Sequence, residues 1–130
     1  MSTPLSSQLV WFIVVGCSAA AVHWAAVVIL VSLAQVPPLL ANIGGWLIAF
    51  SVSFLGHYHL TFKQQQAPLV QAARRFLAVS ALGFALNEAA YAWLLYATPW
   101  RYDLVLAVVL VGVAVLTFLL SRRWAFRRKQ

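Results

Sequence analysis

The chain consists of four long apolar runs separated by short polar segments. The runs cover about residues 8–33, 39–62, 76–97 and 104–121. An α-helix rises ~1.5 Å per residue, so a run of ~17–25 residues can span a hydrocarbon layer of ~30 Å. The pattern predicts an all-α polytopic membrane protein with four transmembrane helices that form one domain over residues 1–130.

The composition excludes an ordinary soluble domain. Of the 130 residues, 64% are hydrophobic and 8% are charged, and the mean hydropathy is +0.89. A soluble domain of this length has too much surface for its volume to bury so much apolar area. The formal net charge of +7 would suggest a nucleic-acid partner in a soluble protein. Here the basic residues flank apolar runs, so membrane orientation explains them and we expect no nucleic acid to bind.

The basic residues lie almost entirely on one side of the predicted membrane. Arg101 lies alone on the other side, opposite Lys63, Arg74, Arg75, Arg122, Arg123, Arg127, Arg128 and Lys129. Short loops rich in Lys and Arg stay in the cytoplasm, so we expect both termini and the loop Lys63–Arg75 to be cytoplasmic. The second half of that loop is a candidate short interfacial helix. The aromatic residues expected at the outer interface are Trp93, Tyr96, Trp100 and Tyr102.

The two halves of the chain are related by a shift of 64 residues. The shift aligns residues 53–55 (Ser-Phe-Leu) with residues 117–119 (Thr-Phe-Leu), and Phe62 with Phe126. One register holds across two helices and a turn, which we interpret as a duplicated helical hairpin. Its pseudo-twofold axis would run along the membrane normal. His23 aligns with Asn87 under the same shift, and both side chains should face that axis.

Asn87 and Glu88 lie near the middle of the third apolar run. A carboxylate at that depth costs ~2.5–3.5 kcal/mol on insertion scales, so it should face the bundle interior. Small residues share its helical face and indicate close approach of another helix: Ala81, Ala85 and Ala92. We interpret Glu88 as part of a substrate or proton pathway. The alternative is a structural carboxylic acid, kept protonated by desolvation and hydrogen-bonded to Asn87 or His23.

Further candidate substrate-binding residues are His23 in the first run and Asn42 near the start of the second. Either side chain can instead serve only to bridge helices. At the predicted cytoplasmic end, Arg122, Arg123 and Trp124 are candidates for binding a lipid phosphate. Guanidinium groups bind phosphate bidentately, and tryptophan is suited to the headgroup depth. The same residues would also serve as an orientation signal that anchors the helix end.

The sequence offers little support for metal binding or enzymatic catalysis. His57 and His59 lie two residues apart, but two ligands do not make a zinc site, so we predict no metal centre and leave their role open. The sequence contains no nucleophile with a nearby base and no glycine-rich phosphate loop. We therefore expect neither an enzyme nor a cofactor.

The motifs of the chain resemble those of the GtrA family of small four-helix bacterial membrane proteins. The resemblance rests on Arg75-Phe76-Leu77, on Ala41-Asn42 after the Pro37–Pro38 turn, and on the phenylalanine motifs of residues 53–62 and 117–126. It covers roughly residues 11–128. The chain departs from the family pattern at residues 57–60 (His-Tyr-His-Leu), where a basic–basic–tryptophan run is usual. It also has His23 where an acidic residue is common.

The resemblance implies a multi-pass protein of the bacterial cytoplasmic (inner) membrane that works in cell-surface polysaccharide synthesis. Its expected activity is flipping of a polyprenyl-phosphate-linked sugar, with His23, Asn87 and Glu88 along the polar path. One alternative is an accessory subunit that seats a partner, a membrane glycosyltransferase. Another is a proton-coupled small multidrug exporter, but those proteins carry their acidic residue in the first helix. We also expect a homo-oligomer, a dimer, because small-residue faces at Gly44-Gly45 and Gly112 remain to be covered.

Overall fold

A computed structural model describes residues 5–63 and 67–125, with side chains described for residues 6–63 and 67–116. The helices are α1 (Leu5–Ser32), α2 (Pro38–Gly56), α3 (Leu69–Ala97) and α4 (Tyr102–Ala125), and α2 continues into a π-helical turn (His57–Thr61). The predicted all-α fold with four helices is confirmed over this part of the chain. Three stretches are long and apolar enough to cross a membrane: Ser6–Ser32, Pro38–Thr61 and Leu69–Ala97. The fourth, Tyr102–Leu116, is shorter.

The turn between α1 and α2 follows from its prolines. Gln35 has a φ of 57°, in the left-handed region, and the backbone N–H of Val36 donates to the carbonyl of Leu30 at 3.1 Å. Pro37 cannot continue a helix, while Pro38 suits the first helical position, where no N–H partner is needed. The chain therefore leaves α1 and starts α2 within a few residues.

The helices close into a bundle in chain order. α1 packs along α2, α2 against α3, α3 against α4, and α4 against α1. We call the end of the bundle with the turns at residues 33–37 and 98–101 the turn end. The opposite end, with the connection at residues 62–68, is the loop end. This arrangement is the one expected of two hairpins packed side by side.

Glycines allow α1 and α2 to approach closely. A methyl group added to Gly45 would lie 2.7 Å from Val27 Cγ2 and 2.9 Å from His23 Cδ2, and one added to Gly44 would lie 3.0 Å from Leu30 Cδ1. The prediction that Gly44-Gly45 forms a free face for a second subunit is therefore wrong. Both glycines are already used inside the hairpin. A methyl group on Gly112 would meet nothing within 4 Å, so that face stays open.

In the half of the bundle nearer the turn end (the turn half), the buried positions follow the sequence repeat. Under the shift of 64 residues, the buried pairs are His23 and Asn87, Val27 and Tyr91, Ala41 and Val105, Asn42 and Leu106, and Gly45 and Val109. The main apolar core lies here, built on Val27, Tyr91 and Leu106, each fully buried. The pattern supports the interpretation of the chain as two related hairpins.

In the half of the bundle nearer the loop end (the loop half), burial differs between the two hairpins. In the first hairpin Val15 is buried, but its counterpart Val79 is 70% exposed. Ala19 is likewise buried, while its counterpart Gly83 is exposed. The second hairpin is thus the less closely packed of the two toward the loop end, over the side chains that the structure describes.

The predicted interfacial helix before the third span is wrong. Residues 69–75 belong to α3 itself, which starts directly after Pro68, with the N–H of Ala72 donating to the carbonyl of Pro68 at 3.0 Å. Alanine, leucine, glutamine and arginine all favour helix, and nothing interrupts them before Phe76. With 29 residues α3 is about 44 Å long at ~1.5 Å per residue, so it extends beyond a ~30 Å hydrocarbon layer.

Candidate functional site

Four of the sequence-predicted residues meet in one hydrogen-bonded group at Asn42, one turn into α2. Asn42 Oδ1 lies 2.6 Å from His23 Nε2 of α1. Asn42 Nδ2 donates to Asn87 Oδ1 at 2.9 Å and to Glu88 Oε2 at 3.0 Å, both on α3. We call His23, Asn42, Asn87 and Glu88 the polar centre. It links three of the four helices.

The local sequence explains why these side chains reach one another. Pro38 fixes the first turn of α2, so Asn42 enters the bundle one turn later. Gly45 lies on the same face and lets the ring of His23 approach α2. On the other side of α2, the ring of Trp46 stacks on Phe84 with 4.7 Å between centroids, and its Nε1 donates to Ser80 Oγ at 2.9 Å. These contacts set the register of α3.

The hydrogen bonds determine the chemical state of the polar centre. Both hydrogens of the Asn42 amide are used on oxygen acceptors, so its Oδ1 faces His23, whose Nε2 must carry a hydrogen. Asn42 is fully buried, Asn87 is 4% exposed and His23 is 6% exposed. A buried polar atom without a partner costs ~1–3 kcal/mol, so each of these groups depends on the others.

Glu88 lies at the edge of the polar centre and is partly exposed, unlike its three partners. On the same face of α3 Ala85 is exposed, and a methyl group on nearby Gly83 would meet nothing within 4 Å. The expectation that another helix of the chain covers this face is therefore wrong at Ala85. The carboxylate joins the buried network to an uncovered surface.

The turn end above the polar centre is closed. Tyr91, one turn beyond Glu88, is fully buried and its hydroxyl donates to the carbonyl of Tyr102 at 3.1 Å. Tyr102 OH lies 2.8 Å from Ser32 Oγ, and Trp24 Nε1 donates to the carbonyl of Asp103 at 3.0 Å. These bonds tie α1 to the start of α4. The polar centre therefore has packed side chains toward the turn end and looser packing toward the loop end.

Three other predicted site residues, Arg122, Arg123 and Trp124, are in the last turns of α4, outside the residues whose side chains the structure describes. His57 is buried, with Nδ1 3.0 Å from Thr61 Oγ1 and its ring stacked on Phe12, whereas His59 is exposed. Within the described part of the chain, no three His, Cys, Asp or Glu side chains form a group that would hold a metal.

Sequence reasoning missed two features. Asn42 was one candidate among several, yet it is the residue that joins all the others. The second is a cleft of about 400 Å³ near the loop end, between the π-helical turn and the first part of α3. Arg75 lines this cleft beside Phe54, His57, Tyr58 and Phe76. The Arg75-Phe76 dipeptide was the available signal, although its spatial partners lie on another helix.

Comparison with protein-family models identifies the family of the chain. Residues 11–126 match the model described as "GtrA/DPMS, transmembrane domain". The chain belongs to this family. The match spans all four helices and confirms the resemblance found in the motifs. No curated protein and no solved structure matches the chain significantly.

Membership of the GtrA/DPMS family, together with the apolar helices, makes this chain a multi-pass membrane protein of glycan or polysaccharide synthesis. The polar centre is then a group of hydrogen-bonding side chains held within a transmembrane bundle.

Proposed function

We propose that this GtrA-family protein translocates a polyprenyl-phosphate-linked sugar across the bacterial cytoplasmic membrane. The observation that carries the proposal is the polar centre. A chain in which 64% of residues are hydrophobic has joined three helices through His23, Asn42, Asn87 and Glu88. Polar groups inside a membrane are costly and typically mark substrate or ion pathways.

The chemistry of the polar centre suits a sugar. Hydroxyl groups both donate and accept hydrogen bonds, and they exchange readily with amide and carboxylate partners. Glu88 offers acceptor oxygens at the uncovered edge of the network, while the Asn42 amide offers donors behind it. A sugar that displaces the Glu88–Asn42 bond would satisfy both groups. The isoprenoid chain would remain in the surrounding lipid.

The difference in packing between the two ends supports a direction of access. The turn end is closed by Tyr91 and Tyr102, while the loop half of α3 leaves Val79 and Gly83 uncovered. The excess of basic residues at the loop end orients that end toward the cytoplasm. With that orientation, the looser packing at the loop end supports entry of the sugar lipid from the cytoplasmic side. Arg122, Arg123 and Trp124, near the cytoplasmic end of α4, are additional candidates for contact with the lipid phosphate.

The direct test uses proteoliposomes that carry a fluorescent polyprenyl-phosphate sugar in both leaflets. A membrane-impermeant reductant destroys the fluorescence of the outer leaflet only. Vesicles with wild-type protein should lose the inner-leaflet signal as the lipid exchanges, while vesicles with an unrelated four-helix membrane protein should retain it. Equal signals in the two preparations, with folded protein in both, would reject translocation.

The alternative function, an accessory subunit of a membrane glycosyltransferase, predicts a different set of results. If no translocation is seen but the chain co-purifies with a membrane glycosyltransferase, and Glu88→Gln leaves glycosylation in cells unchanged, the chain seats the enzyme and the polar centre is structural.

A further inference from the structure

The cleft at the loop end combines an apolar lining with a single cation. It measures about 400 Å³, within the ~300–1,000 Å³ typical of small-molecule sites. Its walls are mostly aromatic: Phe54, Tyr58 and Phe76 line it, and the rings of Phe54 and Phe76 lie 5.8 Å apart between centroids. Arg75 lines the same cleft and is exposed.

The π-helical turn shapes one wall of the cleft. The N–H of Phe62 donates to the carbonyl of His57 at 2.8 Å, a wider turn than that of an α-helix. Tyr58 OH reaches across to the carbonyl of Ala67 at 3.1 Å and ties the wall to the segment before α3. π-helical turns occur frequently at functional sites, where they redirect side chains.

Arg75 has no acidic partner within the chain. The only acidic residues are Glu88 and Asp103. Asp103 pairs with Arg101 at the turn end, and Glu88 is 13 residues along α3 from Arg75, roughly 20 Å at ~1.5 Å per residue. No carboxylate side chain of the protein therefore competes with an external anion for this exposed guanidinium.

The sequence repeat gives a second reason to expect a basic residue at the cleft. The shift of 64 residues aligns Tyr58 and His59 with Arg122 and Arg123. The first hairpin thus ends without the basic pair that the second hairpin has. Arg75, the first residue of the Arg75-Phe76-Leu77 motif, lines the cleft beside Tyr58 and supplies a cation at that end of the first hairpin.

We infer that this cleft binds the phosphate and the first isoprenoid units of a polyprenyl monophosphate lipid, with Arg75 on the phosphate and the aromatic wall against the chain. The planar guanidinium matches a phosphate bidentately. A cleft of about 400 Å³ beside one arginine suits a lipid with one apolar chain and one phosphate, whereas a phospholipid carries two acyl chains. This inference rests on the proposed function, because the polyprenyl-phosphate group bound here is the one that carries the sugar in the translocated lipid.

The test measures lipid binding, separately from transport, on the full-length protein in detergent. A polyprenyl monophosphate is titrated and bound lipid is counted by native mass spectrometry. Arg75→Gln should weaken binding by about tenfold, because it removes the charged bidentate donor. Arg74→Gln is the matched control: it removes the neighbouring charge, which does not line the cleft, and affinity should stay within about twofold.

A second variant separates shape from charge. Val79 lines the cleft and is 70% exposed, so Val79→Trp should fill the space without harming the fold. It should lower binding with every charge intact. Dioleoyl phosphatidate and inorganic phosphate, added in excess, should compete weakly. Equal effects of Arg74→Gln and Arg75→Gln, no effect of Val79→Trp, or equal competition by phosphatidate would each overturn the inference.

The two proposals fail separately. If wild-type protein binds the lipid through Arg75 but does not translocate it, the docking site stands and the proposed function fails. If translocation occurs while Arg75→Gln and Val79→Trp bind the lipid as wild type does, the function stands and the docking site is wrong.

Discussion

The side-chain amide of Asn42 donates a hydrogen bond to the carboxylate of Glu88, with 3.0 Å between Nδ2 and Oε2. One partner is fully buried and the other is partly exposed, so the bond connects the interior of the bundle to its uncovered surface. Such a bond can stabilise the bundle, and under the proposed function it also exchanges for bonds to the sugar. Substitutions at Asn42 and Glu88 distinguish these two roles.

Asn42→Leu should destabilise the protein. Leucine stands at the corresponding position, Leu106, in the second hairpin, so its size is tolerated there. The substitution leaves His23 Nε2 and Asn87 Oδ1 without their partner, at a cost of about 1–3 kcal/mol. Denaturation in detergent mixtures measures the change. The control is Ser51→Ala, also on α2, whose hydroxyl bonds only to the carbonyl of Leu47 and should matter little. Equal stability of both variants would contradict the role of Asn42.

Gly45→Ala should separate α1 from α2. The added methyl group would lie 2.7 Å from Val27 Cγ2 and 3.0 Å from the carbonyl oxygen of His23, and backbone at that distance cannot move aside cheaply. We expect a loss of about 1–3 kcal/mol, typical of overpacking. Gly16→Ala is the matched control on α1, since a methyl group there meets nothing within 4 Å. If thermal unfolding in detergent ranks the two variants equally, the close approach of α1 to α2 is wrong.

The sequence predicts the helices well because each helix follows from local apolar length. It also predicts that Glu88 faces the bundle interior, where the structure shows its bond to Asn42 but leaves the side chain partly exposed. It does not predict that Asn42 joins three partners, because that depends on the register between helices, which Gly45 and the Trp46–Phe84 contact set. The start of α3 was misplaced for a related reason. The uninterrupted apolar run begins only after Arg75, yet the backbone of residues 69–75 already belongs to the helix.

The membrane orientation remains a prediction from charge alone. In a Cys17→Ser background, a cysteine at position 63 should react with an impermeant thiol reagent only from the cytoplasmic side. A cysteine at position 101 should react only from the outside, because Lys63 and Arg101 lie at opposite ends of the bundle. Labelling of both cysteines from both sides would indicate dual orientation and would contradict the dominance of the basic residues.

The dimer also remains a prediction. Of the two glycine faces expected at its interface, only the one at Gly112 is still open. Gly44 and Gly45 face α1, which leaves the open face at Gly112 on α4 as a candidate contact. Gly112→Leu should reduce crosslinked dimer in native membranes without lowering the stability of the monomer, since no atom of the described chain lies within 4 Å of the added Cβ. A dimer fraction equal to that of wild type would exclude this face.

The central claim is that the polar centre carries the sugar across the membrane, and Glu88→Gln tests it most directly. Glutamine keeps the shape and the carbonyl oxygen that can accept from Asn42, so the fold should be unchanged. Asp103→Asn removes the only other carboxylate side chain, at the turn end away from the polar centre. The measurement is the initial rate of polyprenyl-phosphate-sugar exchange in matched proteoliposomes. We predict that Glu88→Gln slows exchange by about tenfold or more while Asp103→Asn stays near wild type. Wild-type exchange by folded Glu88→Gln protein would contradict the account and leave Glu88 a structural acid.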